Sequence, residues 1–198
     1  MAEIADVWFD PACPYTWITS RWLLEAAKVR PIEPCWHLLS LAALNEGRDD
    51  DPENDPEGYL WLPARVCAAV ADRAGQEALG RFYTAFGARV HERKEMGPQT
   101  IPDALAEAGL SGDLAETALS DHYDGAVRAS TAAGLARVGP HVGTPVVAVG
   151  EVAFFGPVLS RIPRGEEAGR LWDGTLLVAG VPGFHELKGV PHADPDPS

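Results

Sequence analysis

Phe9-Asp10-Pro11-Ala12-Cys13-Pro14-Tyr15-Thr16 joins an apolar stretch, Ile4 to Phe9, to a helical pattern running from about Pro14 to Val29. The apolar stretch holds Ile, Val, Trp and Phe, reads as a buried strand, and is ended by Asp10-Pro11. Pro14 suits the first turn of a helix, where its missing N–H costs little. Cys13 therefore stands at a helix start, beside free backbone N–H groups and the positive end of the helix dipole. Both favour thiolate, the reactive form, which makes Cys13 the candidate nucleophile. Position 16, where a Cys-x-x-Cys site carries its second thiol, is Thr. A disulfide within the motif is therefore excluded.

The chain has 198 residues, 46% of them hydrophobic, enough for one large core or a core with a small inserted domain. Its 29 acidic and 16 basic residues give a net charge of -13, which argues against nucleic acid as a partner. No apolar run approaches the roughly 20 residues that span a bilayer, so no membrane segment is expected. The N-terminus lacks the basic and apolar parts of an export signal, and a cytoplasmic location is expected.

Three cysteines, Cys13, Cys35 and Cys67, make no disulfide framework. Cys35 falls in the second strand and Cys67 in an Ala-rich helix; each reads first as a small buried apolar residue, and second as a resolving thiol. Neither paired-ligand spacing nor His-Glu-x-x-His occurs, so no metal site is expected. No Gly-x-Gly-x-x-Gly frame or Walker-A motif occurs either, and no integral cofactor is expected.

Glu33 to Leu39 predicts a second strand, with Pro34 delaying its start. Ser40 to Asn45 is a short structured segment, and Glu46 to Glu57, with seven acidic residues and one Arg, is a solvated loop. Helices are predicted at Trp61 to Ala74, Glu77 to His91, Gln99 to Ala108, Leu114 to Leu119 and Tyr123 to Arg137, with glycines at the breaks. Pro145 to Val149 and Val152 to Phe155, joined by Gly150-Glu151, predict a hairpin, and Gly165 to Val178 a last helix. The order β-α-β, helices, β-β-α implies a mixed sheet interrupted by a helical module. The segment after Val190, rich in Pro and Asp, reads as flexible.

This order, Cys13-Pro14-Tyr15-Thr16 and the later Gly143-Thr144-Pro145 resemble a DsbA-like member of the thioredoxin superfamily. The likeness is nearer still to the actinobacterial mycothiol-dependent reductase, or nitroreductase, group. Val7-Trp8-Phe9-Asp10-Pro11, Trp17-Ile18-Thr19-Ser20-Arg21-Trp22 and Ser40-Leu41-Ala42-Ala43-Leu44-Asn45-Glu46 carry it, and Phe154 to Ser160 and Ile162 to Gly169 extend it. The resemblance implies an α/β thioredoxin-like fold with an inserted all-helical domain. The chain then divides into a first thioredoxin-like part at 1–45, an acidic loop and helical insertion at 46–137, a second thioredoxin-like part at 138–190, and a tail at 191–198. It also implies that Cys13 faces a cis-proline loop at Thr144-Pro145, which would bind substrate backbone. Mycothiol is the implied thiol cosubstrate. The implied acceptors are small electrophiles, nitroaromatics or disulfides.

Thr16 departs from the dithiol pattern. Its hydroxyl either donates to the Cys13 thiolate or merely keeps the helix start compact. Three function classes follow. In the leading one, Cys13 exchanges with a disulfide and free mycothiol resolves the adduct. In a second, a thiol S-transferase, Thr16 activates a bound thiol and Cys13 is dispensable. In a third, a non-enzymatic binding protein traps mixed disulfides. Pro14, Tyr15 and Trp17 are candidate substrate-wall residues, Tyr15 and Trp17 having helix packing as the plainer reading. Asp10 reads first as a turn residue and second as one that caps or orients the active-site loop. His37 reads first as a hydrogen-bonded histidine near the sheet edge and second as a proton-transfer group tuning a pocket. Arg21 reads first as half of a surface salt bridge and second as an aid to an anionic substrate or to the thiolate. Arg161 and Arg164 read as a solvated linker. The helical insertion either covers the thiol or forms a homodimer surface.

Overall fold

The computed structural model describes residues 2–198. β1 (Glu3–Phe9), α1 (Pro14–Ala26) and β2 (Ile32–Leu38) form a β-α-β unit with parallel strands. α1 stops three residues before the predicted end, because Ala27 to Arg30 turn back onto the carbonyls of Leu23 to Ala26. β3 (Val146–Val149) runs antiparallel to β1, and β4 (Val152–Phe155) antiparallel to β3, giving the order β2-β1-β3-β4. β2 is thus an edge strand. That is why it runs through Pro34 rather than starting after it: an edge position tolerates the missing N–H. The hairpin turns at Gly150, whose φ of 56° suits the first position of a type II′ turn.

Between β2 and β3 lie α2 (Leu41–Leu44), α3 (Trp61–Gly87), α4 (Thr100–Glu107) and α5 (Asp124–Val138). The two helices predicted either side of Gly75 are stacked end to end in α3, with a kink where Gly75 has φ 83°. The Leu114 to Leu119 segment is a 3-10 turn, Gly112–Leu119, rather than an α-helix. α6 (Gly165–Ala179) closes the chain against α1, tied by the Trp22 indole N–H donating to the Ala168 carbonyl at 3.1 Å.

Strand periodicity sends Ala5, Val7 and Phe9 to one sheet face and Ile4, Asp6 and Trp8 to the other. The first face and the helical insertion share one core: Phe9 stacks on Tyr83 of α3 at 3.8 Å between centroids, and Trp36 of β2 meets the same ring. Such stacking is worth about 0.5–1.5 kcal/mol beyond area burial. α5 covers the far end of the second face, where Trp8, Leu39, Val146 and Ala148 pack under Leu135 and Val138. No helix among the described residues is long and apolar enough to cross a membrane.

Candidate active site

The loop after β1 delivers Cys13 to the N-cap position of α1, with Pro14 in the first turn. Its carbonyl accepts from the Trp17 N–H at 3.0 Å, so the backbone here already belongs to the helix. The thiol is half-buried. Asp10, fully buried, organises the loop: one carboxylate oxygen accepts from the Ala12 N–H and the other from the Leu41 N–H, each at 2.7 Å. The first bond ties the motif to itself and the second ties it to the start of α2. Asp10 thus takes the second of its two sequence readings, orienting the loop. Burial pushes its pKa up to about 6, against the lowering effect of those N–H groups.

The thiolate expectation is corrected by this packing. Burial pushes the Cys13 thiol above its ordinary value; the Thr16 hydroxyl and the helix-start N–H groups of Thr16 and Tyr15 pull it down, and the Asp10 charge adds to the rise. The helix start acts in the predicted direction, but desolvation outweighs it.

Thr144-Pro145 is cis, and a second cis bond joins Gly156 to Pro157. Thr16 and Thr144 are buried and face one another: the Thr16 hydroxyl donates to Thr144 Oγ1 at 3.2 Å, and Thr144 donates to the Trp8 carbonyl at 3.2 Å. The carbonyl accepts only, which fixes the direction of both bonds. The Thr16 proton is thus directed at the proline loop while Cys13 is protonated. Thr19 fastens the same helix to the second cis-proline loop by donating to the Pro157 carbonyl at 2.7 Å.

The other candidates separate cleanly. Pro14 is exposed beside the thiol, and Tyr15 is half-buried with its ring 5.6 Å from that of His192. The Tyr15 hydroxyl donates to the Ala193 carbonyl at 3.1 Å, and the Asp196 N–H donates to the Ser160 carbonyl at 2.7 Å. The tail that composition marks as flexible thus returns to the helix carrying the thiol. Trp17 is 1% exposed, between Tyr83 and His91, and so is a packing residue rather than a pocket wall. Among the described residues Arg21 has no salt-bridge partner: its guanidinium lies 4.1 Å over the Trp17 ring and donates to Ser20 and Thr84 hydroxyls, and burial lowers its pKa. Arg161 and Arg164 are exposed, with Arg161 paired to Glu167. Cys67 is fully buried and its thiol is pushed well up, which removes it as a resolving thiol.

His91 is the residue the sequence reading missed. It sits in a π-helical turn, Ala88–Glu92, continuing α3, and its Nε2–H donates to the Pro11 carbonyl at 2.9 Å. Pro11 precedes Cys13 by two positions, so His91 pins the loop from 80 residues away. Burial lowers its pKa, which keeps the ring neutral. A π-turn is a frequent mark of a functional position, but the sequence shows only a helical run ending in His.

Comparison with known proteins agrees with this geometry. The family model Rv2466c-like, described as mycothiol-dependent nitroreductase Rv2466c, matches residues 12–189. The uncharacterized protein Rv2286c of Mycobacterium tuberculosis is 31% identical over 190 residues, covering 92% of this chain and 80% of that protein. Among solved structures, the probable DsbA oxidoreductase SCO1869 from Streptomyces coelicolor superposes with a TM-score of 0.61 at 15% identity, over 97% of this chain and 94% of that one. Cytosolic disulfide reductase DsbM from Pseudomonas aeruginosa, solved with GSH, superposes with a TM-score of 0.53 at 17% identity, over 88% and 99%. The fold is therefore the DsbA-like thioredoxin fold.

Proposed function

Because this chain belongs to the Rv2466c-like family of mycothiol-dependent nitroreductases, we propose that it is a monothiol reductase in which Cys13 is the nucleophile and mycothiol the resolving thiol. The observation that carries this reading is Cys13 at the helix start with a hydroxyl, not a thiol, at position 16. In the forward step the Cys13 thiolate attacks one sulfur of a disulfide. A new disulfide to Cys13 forms, the old one breaks, and the departing sulfur leaves as thiolate and takes a proton from solvent. In the second step mycothiol thiolate attacks the adduct sulfur, restoring Cys13 and carrying the group away as a disulfide. When the incoming substrate is a mixed disulfide with mycothiol, the net products are a free substrate thiol and mycothiol disulfide.

Thr16 acts on the thiolate rather than on the adduct. Once Cys13 loses its proton, the sulfur is a stronger acceptor than Thr144 Oγ1, and the Thr16 hydroxyl turns toward it. In this reading Thr144, bonded to Thr16, and Pro145 would form the face opposite Cys13 and receive the backbone of a disulfide or the body of a low-molecular-weight thiol. A glutathione-bound neighbour of the same fold is in keeping with a thiol of that size. The division at residues 45, 137 and 190, and the cytoplasmic location, belong to this reading too. Nitroaromatic reduction, the activity in the family's description, is a further expectation to be assayed separately.

The test is intact-protein mass spectrometry after exposure to oxidised mycothiol and then to reduced mycothiol. One reversible adduct mapped to Cys13 supports the cycle. Turnover that survives Cys13→Ala in the presence of reduced mycothiol would remove Cys13 from the mechanism.

A further inference from the structure

The geometry points to a metal site formed by Asp6, Cys35 and His37, taking a thiophilic divalent cation of the zinc class with three protein donors and one solvent position. The sequence shows no ligand spacing because the donors come from two strands. β1 and β2 are parallel with Asp6 opposite Cys35 and Trp8 opposite His37. The two-residue period of a strand then places Cys35 and His37 on the same face as Asp6. Asp6 Oδ1 lies 2.7 Å from His37 Nε2, and one donor atom from each of the three residues falls within 4.8 Å of the others. Ligands on a tetrahedral zinc ion stand about 3.3–3.8 Å apart, given bonds of about 2.0–2.3 Å. The three donors stand on a hydrogen-bonded strand pair that fixes the backbone, so closing to that spacing falls to side-chain rotation.

Three features of the surroundings suit a cation. The Trp8 ring stacks against His37 at 4.7 Å and 23°, which holds the imidazole plane. Asp6 stands opposite Cys35 and Glu33 lies two residues before it on the same strand face, so two carboxylates crowd the thiol, and among the described residues neither is paired with Lys or Arg. A divalent ion removes that like-charge crowding, because one thiolate and one carboxylate balance its two positive charges. Asp6, Cys35 and His37 are each only half-buried, which leaves an ion an approach from solvent. Imidazole, thiolate and carboxylate together favour zinc over magnesium or calcium, which prefer all-oxygen donors.

Binding involves no electron transfer. The Cys35 S–H bond breaks, an S–metal bond forms, and the proton goes to solvent. His37 binds through Nε2 as the neutral ring with its proton on Nδ1. The bound ion would clip the edge strand β2 to β1, away from the helix start that carries Cys13.

The experiment uses tag-free, metal-stripped full-length protein carrying Cys13→Ser, so that the reactive thiol does not compete. Titration with Co2+ should give a saturable thiolate-to-cobalt charge-transfer band at one ion per chain, which Zn2+ displaces. Zn2+ should also protect Cys35 from iodoacetamide, read by peptide mapping. Cys35→Ser, His37→Gln or Asp6→Asn in the same background should abolish or sharply weaken the band. Absence of a saturable band in the Cys13→Ser parent overturns the site, as does a band that survives Cys35→Ser. The parent titration decides the matter even where a ligand variant does not fold.

Discussion

The Thr16 hydroxyl donates to Thr144 Oγ1 at 3.2 Å, bridging the first turn of the thiol-bearing helix to the residue before the cis-proline. This bond stands where a dithiol relative would hold its second sulfur. Thr16→Val keeps the shape and removes the donor. It should cost about 0.5–1.5 kcal/mol of stability, the net worth of one buried hydrogen bond. It should also raise the pH midpoint of Cys13 alkylation, because Thr16 lowers the thiol pKa. Iodoacetamide rates across a pH series read this directly. An unmoved midpoint would leave Thr16 with a packing role only.

Thr16→Cys should restore a conventional site. Oxidation is then expected to join Cys13 to the introduced thiol in a disulfide, seen as the loss of two hydrogens in the intact mass. Reduction of disulfide substrates should lose its strict dependence on an added low-molecular-weight thiol. Failure to close the bond would show that the Thr16 position is turned away from Cys13.

Asp10 should impose a pH dependence on stability. Its folded carboxyl keeps its proton up to about pH 6, whereas an unfolded one releases it near 4. Between those values the native state binds more protons than the unfolded state. Stability therefore falls as pH rises through that window, by on the order of 3 kcal/mol in full, and the penalty vanishes below it. Urea unfolding at several pH values, compared with Asp10→Asn, isolates the effect as a difference that turns in favour of the variant as pH rises. The same substitution removes a charge that raises the Cys13 pKa, so its alkylation midpoint should move down.

His91→Phe preserves a ring against Trp17 but removes the donor to the Pro11 carbonyl. A buried acceptor left unmet costs about 1–3 kcal/mol. Amide exchange of the Ala12 and Cys13 N–H groups should quicken, while helices α4 and α5 exchange as before. Unchanged exchange at those two amides would mean that Asp10 alone holds the loop.

Local pattern carried a good part of this. The strand-to-Cys13-to-helix frame and the Val152 to Phe155 hairpin strand follow from periodicity, Pro14 and a glycine turn. The cis bond at Thr144-Pro145 was legible through family resemblance rather than residue pattern. What the sequence withheld depends on tertiary packing. The sign of the Cys13 pKa shift is set by burial, which no motif records. Arg21 looks like a surface cation in sequence, and is drawn over Trp17 because the insertion closes that side. His91 and Pro11 are 80 positions apart, and Asp6, Cys35 and His37 meet only through strand register.

Three helical glycines each receive an indole. A Cβ at Gly80 would stand 2.6 Å from the Trp36 ring, one at Gly134 would stand 2.7 Å from the Trp8 ring, and one at Gly87 would overlap Trp17. Each pair brings together a residue of the β-α-β unit and one of the insertion. A helix that lost its glycine could keep its distance only if the facing ring shrank with it. The pairs 8/134, 17/87 and 36/80 should therefore drift together through descent.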